Sequence, residues 1–118
     1  MKRMLLPIAL TAVLPAPTAF PHAFLDHAVP AVGSTVAGAP TQVELYYTQA
    51  LEPAFSEAAL TGPDGQAITT ARASVDPQNP MELVLKLPAL SPGHYKVKWH
   101  VVSVDTHRTE GSFSFDVQ

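Results

Sequence analysis

The chain has 118 residues, of which 47 % are apolar and 14 % charged, and it contains no cysteine. This composition excludes a disordered chain, a disulfide scaffold and a thiolate metal site. The formal net charge is −3, and no basic surplus exists to attract nucleic acid.

Residues 1–21 read as a secretory signal peptide. Lys2 and Arg3 precede an apolar run from Met4 to about Leu14, followed by small residues and prolines. The run is too short to span a bilayer, and Pro7 and Pro15 interrupt it. A retained membrane anchor is the competing reading. Ala16, Ala19 and Ala23 suit the position before a cleavage point. Cleavage after Pro21 is locally awkward, yet it would leave His22 as the first residue of a domain spanning 22–118. That domain carries five Lys and Arg against ten Asp and Glu, a formal net of −5.

The remaining chain reads as short strands between Pro/Gly turns. "HAFLDHAVP" is a candidate first edge strand ending near Pro30, and "AVGSTVAGAP" is a loop. "TQVELYYT" sets Val43, Leu45 and Tyr47 against Glu44 and Tyr46, the period of a half-buried strand. "AFSEAALTGPDGQAI" holds a strand, a turn at Pro63–Gly65 and the start of another strand. After "DPQNP", the stretch "MELVLKLP" puts Met81, Leu83, Leu85 and Leu87 on one face. "SPGHYKVKWHVVS" puts Tyr95, Val97, Trp99 and Val101 on one face and Lys96, Lys98 and His100 on the other. Gly111 to Val117 forms the last strand. About seven strands and no helical period predict an all-β, immunoglobulin-like antiparallel β-sandwich. Its expected core is Leu45, Tyr47, Leu83, Leu85, Tyr95, Val97, Trp99, Phe113 and Phe115. No long apolar exposed strand demands a dimer, so a monomer is expected.

The histidines carry the chemical information. His94 sits in a turn and His100 on a polar strand face, and neither has a partner nearby in sequence. Asp105 and His107 lie two apart in the loop before the last strand. In an extended segment they would point the same way and could hold a metal. The alternative is a turn in which Asp105 caps backbone amides and His107 is exposed. His22, as a first residue, would offer an α-amine and an imidazole nitrogen in one chelate ring. With His107 and Asp105 that makes three nitrogens and one oxygen, a set suited to tetragonal Cu(II). His27 is an additional candidate. No nucleophile elbow or phosphate-cradling glycine loop is present.

Two stretches, "HAFLDHAVPAVGSTV" and "GHYKVKWHVVSVDTHRTEGSFSFDV", together resemble the CopC family of periplasmic copper-binding proteins. The resemblance covers about 97 residues from His22 onward. It implies an immunoglobulin-like sandwich that is not an enzyme. It also implies a Cu(II) site made of His22, Asp105 and His107, and a chaperone or buffer role in copper resistance or homeostasis. An inner-membrane copper transporter of CopD type is the implied partner. The chain departs from the family in three ways, one being Pro21, an unusual residue before a cleavage point. Met81 is the only methionine after the leader, so a methionine-rich site for monovalent copper cannot be built. Gln49 stands where a supporting glutamate is usual. Two competing readings remain: an enzyme resembling the histidine-brace monooxygenases, and a metal-free exported interaction module. Asp105 argues against the enzyme, because an equatorial carboxylate would fill the position that oxygen needs.

Overall fold

The computed structural model describes residues 3–5, 7–9, 11–12 and 22–118. The rest of the proposed leader, including the junction at Pro21, lies outside the described residues. Among those described, no helix is long and apolar enough to cross a membrane.

Among the described residues nine strands form: β1 (Leu25–Val29), β2 (Thr35–Val36), β3 (Gln42–Tyr47), β4 (Glu57–Thr61), β5 (Ala67–Ile68), β6 (Ser74–Asp76), β7 (Asn79–Lys86), β8 (Gly93–Val102) and β9 (Arg108–Val117). A 3-10 helix at Pro53–Phe55 precedes β4. One sheet has the order β1-β3-β7-β6 and the other β2-β9-β8-β4-β5. The expected sandwich is therefore present. The count rises from about seven because β2 and β6, edge strands of two and three residues, are too short to show a period. One pairing, β2 with β9, is parallel rather than antiparallel.

The alternation read from the sequence sets which side chains face inward. Val43, Leu45 and Tyr47 of β3 are buried, as are Leu83 and Leu85 of β7. They meet Tyr95, Val97, Trp99 and Val101 of β8 and Phe113, Phe115 and Val117 of β9. Tyr95 stacks on Phe115 with centroids 5.8 Å apart, and Tyr47 meets Trp99 edge to face at 5.2 Å. All nine expected core residues are buried. Met81 is not: it is exposed near the start of β7, although its spacing puts it on the inward face. Gly111 opposes Trp99 across β8 and β9. A Cβ there would lie 2.6 Å from the indole, so the ring occupies the space a side chain would take.

The β8–β9 hairpin sets the geometry of the site. Ten residue pairs run without a register break from Gly93↔Val117 to Val102↔Arg108. Its connecting loop, residues 103–107, therefore projects from one end of the sandwich.

On the outer face of the four-stranded sheet, Glu82 is only 7 % exposed and opposes Tyr46 across β3 and β7. Burial is the main cause that holds the Glu82 carboxyl above its ordinary value. A hydrogen bond with Tyr46 works the other way, and the Asp76 and Glu44 carboxylates reinforce the rise. Burial, with hydrogen bonds to Glu82 and Glu44, pushes the Tyr46 phenol up to about 12. The Tyr46 hydroxyl donates to Glu44 Oε2 at 3.1 Å. A carboxyl whose folded value is raised stabilises the fold below its unfolded value and loses that contribution as pH rises through the folded one. Glu82→Gln imitates the protonated acid: its amide N–H can donate to Asp76, as the carboxyl proton does. Urea denaturation should show this variant more stable than the parent at neutral pH, with the gap closing toward about pH 4. An equal gap at both pH values would contradict a raised Glu82.

Candidate metal centre

Two segments from opposite ends of the described chain meet where the β8–β9 loop emerges. The first, residues 22–24, leads into β1. Ala23 is fully buried, and its carbonyl accepts a hydrogen bond from Thr109 Oγ1 at 2.7 Å. The Phe24 N–H donates to Thr48 Oγ1 at 2.9 Å, and the Thr48 N–H donates back to the Phe24 carbonyl at 3.0 Å. The strap is thus tied to β9 of one sheet and to the end of β3 in the other, which leaves His22 little choice of place.

The second segment is the loop itself. The Thr106 N–H donates to the Ser103 carbonyl at 2.8 Å, and the Ser103 N–H donates to the His107 carbonyl at 3.0 Å. Thr106 adopts φ = 71°, the left-handed region a β-branched residue rarely visits. Asp105 and His107 therefore do not share one face of an extended segment, as their spacing would suggest. A tight turn brings them together, with His107 Nδ1 3.2 Å from Asp105 Oδ2. The turn and the metal-site reading turn out to be compatible. The Ser103 hydroxyl donates to Asp105 Oδ1. This bond, ahead of the contacts with His107, holds the Asp105 carboxyl below its ordinary value. Its contribution to stability is present at neutral pH and is lost as pH falls through the lowered value.

His22 and His107 meet across the gap between the two segments. Their ring centroids are 4.8 Å apart at 88°, and the His22 ring also lies edge-on to Phe24 at 6.3 Å. His22 Nδ1 is buried and has no hydrogen-bond partner. Burying a polar nitrogen unpaired costs free energy; among the described residues Tyr47 Oη and Trp99 Nε1 are buried without a partner too, but His22 Nδ1 alone of the three belongs to a ring that meets another histidine. Among the described residues, no three His, Asp or Glu side chains are already gathered closely enough to enclose an ion. The imidazole χ2 torsion is soft, so either ring can turn without moving its backbone.

The other histidines are committed elsewhere. His27 Nδ1 lies 2.7 Å from Asp26 Oδ2, and its ring stacks on Tyr46 with centroids 4.3 Å apart. His94 pairs with Asp116 at 2.7 Å and His100 with Glu57 at 3.5 Å. Both partners sit on neighbouring strands, which is why local sequence offered none. Gln49, partly buried, lies between Thr48, which holds Phe24, and Ala50, whose carbonyl accepts from the Val104 N–H at 3.0 Å. Ser103 is the residue sequence reasoning passed over. Its signal was a lone serine ending the alternating run of β8, where the spacing dictates an inward side chain.

Residues 25–118 match the model of the CopC domain. The chain belongs to the CopC family. Protein YobA of Escherichia coli K12 is 40 % identical over 110 residues, covering 92 % of this chain and 89 % of that protein. The crystal structure of CopC from Methylosinus trichosporium OB3b is 35 % identical with a TM-score of 0.77, covering 82 % of this chain and 94 % of that one. PcoC, a methionine-rich copper resistance protein from Escherichia coli, is 34 % identical with a TM-score of 0.70. That likeness covers 82 % of this chain and 99 % of PcoC. These CopC-family structures are similar in fold to the sandwich described above.

The strap's attachment to β9 has a measurable consequence. Thr109→Val keeps the shape of the side chain but leaves the buried Ala23 carbonyl without its donor. Thermal unfolding should show a loss of about 1–3 kcal/mol, a fall in Tm of several degrees for a domain of this size. An unchanged Tm would mean that the strap is held by other contacts.

Proposed function

We propose that this chain is a Cu(II)-binding protein of the periplasm, working as a chaperone or buffer in copper resistance or homeostasis. Residues 1–21 act as the export signal, and removal after Pro21 makes His22 the first residue of a single domain, 22–118. The metal is cargo. His22, Asp105 and His107 hold it, and no catalytic group is involved.

The observation that most supports this reading is the meeting of His22 with His107 around a buried, unpartnered His22 Nδ1. Nδ1 is the imidazole nitrogen that closes a chelate ring with the α-amine of the same residue. His107 Nδ1 faces Asp105, so His107 Nε2 is its open donor. Asp105 Oδ2 supplies the oxygen. Nitrogen donors with one carboxylate suit a divalent, tetragonal copper ion. Soft thioether ligands are lacking, since Met81 alone follows the leader, whereas PcoC is described as methionine-rich. That favours the divalent over the monovalent ion. The domain acts as a monomer, and a membrane copper transporter is the recipient we favour.

Two measurements test this. The mass of the exported protein should correspond to a chain starting at His22, and another start would remove the amine chelate. Copper titration of that protein should show one tight Cu(II) site, weakened at least 100-fold in His107→Ala, with a melting temperature close to that of the parent. Unchanged tight binding in that variant would overturn the site. Amine and imidazole donors must lose their protons to bind metal, so affinity should fall as pH is lowered from about 8 to about 6.

A further inference from the structure

We infer that Ser103 is a positioning residue for the proposed copper centre, acting through Asp105; this rests on the ligand set proposed above. Ser103 is fully buried at the end of β8, beneath a loop whose other members are exposed. Its backbone has little freedom. The N–H donates to the His107 carbonyl at 3.0 Å, the carbonyl accepts from the Thr106 N–H at 2.8 Å, and the residue forms a bridge with Leu51. The residues on either side are tied to the same neighbouring segment. The Val102 carbonyl accepts from the Glu52 N–H at 2.7 Å, and the Val104 N–H donates to Ala50.

A hydroxyl on so fixed a backbone is a donor at a fixed point. It has one proton to give. Two acceptors compete for it: Asp105 Oδ1 and the His107 carbonyl, 3.2 Å away. The charged carboxylate makes the stronger bond. The consequence is geometric. With Oδ1 engaged below, Oδ2 is the oxygen turned toward the His107 ring. The carboxylate is thereby prepared as a single-oxygen ligand. An unanchored aspartate on an exposed loop would have to freeze its rotamer when metal arrives, and its two oxygens would be equivalent.

The test is a double-mutant cycle on the chain beginning at His22. Copper affinity would be read by competition with a Cu(II) chelator, and ligand geometry by electron paramagnetic resonance. Ser103→Ala should weaken Cu(II) by about 10-fold or more, as removal of such supporting groups does at other metal sites. It should also shift the copper hyperfine splitting, which a purely structural serine would not move. In an Asp105→Ala background the same substitution should cost nothing further. Parental affinity and spectrum in Ser103→Ala would overturn the positioning role. So would an equal loss in both backgrounds. If Asp105→Ala itself leaves affinity unchanged, the ligand set falls and Ser103 falls with it. If Asp105→Ala weakens binding and Ser103→Ala does not, only the positioning role is lost.

Discussion

The arrangement depends on one restraint, the double attachment of the strap at residues 22–24. Thr109 holds the Ala23 carbonyl from one sheet, and Thr48 exchanges two hydrogen bonds with Phe24 beside the other. A segment leading into an edge strand would ordinarily fray, because few contacts hold it. Here burial of Ala23 between the sheets makes fraying costly, since it would expose apolar surface and leave a carbonyl unpaired. His22 is consequently held beside His107 by interactions its own side chain does not make.

The opposing half gets its rigidity differently. The β8–β9 hairpin keeps register over ten pairs, so its loop starts from a well-fixed base. The loop is then folded on itself by the Ser103–Thr106 and Ser103–His107 backbone bonds. A left-handed Thr106 is a local strain, of the kind that persists where surrounding contacts determine the turn. Each half is thus held by its own hydrogen bonds, and the His22 and His107 rings meet between them. That combination suits the copper site proposed above, which would take up an ion by small ring rotations without refolding.

The distribution of carboxylates also separates the histidines. His27, His94, His100 and His107 each have an Asp or Glu oxygen within 3.5 Å. For the first three, these are surface pairs of the kind that contribute little to stability. His22 differs, with its Nδ1 buried and unpaired. On the outer sheet face, Glu82 and Tyr46 form a second cluster of perturbed groups. It is closed by its own hydrogen bonds and has no orphaned atom awaiting a ligand.

The alternation of apolar residues was enough to read the sandwich, its long strands and every expected core residue, because a period of two is a local property of the chain. Asp105 and His107 were also legible as a pair, though for the wrong geometric reason: spacing suggests an extended segment, and the left-handed Thr106 supplies a turn. The short edge strands β2 and β6 were not legible, since two or three residues carry no period. Met81 shows the same limit from the other side: its spacing points inward, yet it is exposed near the start of β7. What only the tertiary structure decided is which histidines meet. His22 and His107 are 85 positions apart, and their contact follows from bonds between Thr109 and Ala23 and between Thr48 and Phe24, across separations no local pattern encodes. The same holds for Ser103: its burial follows from strand period, but its grip on Asp105 follows from the turn that folds the loop back over it.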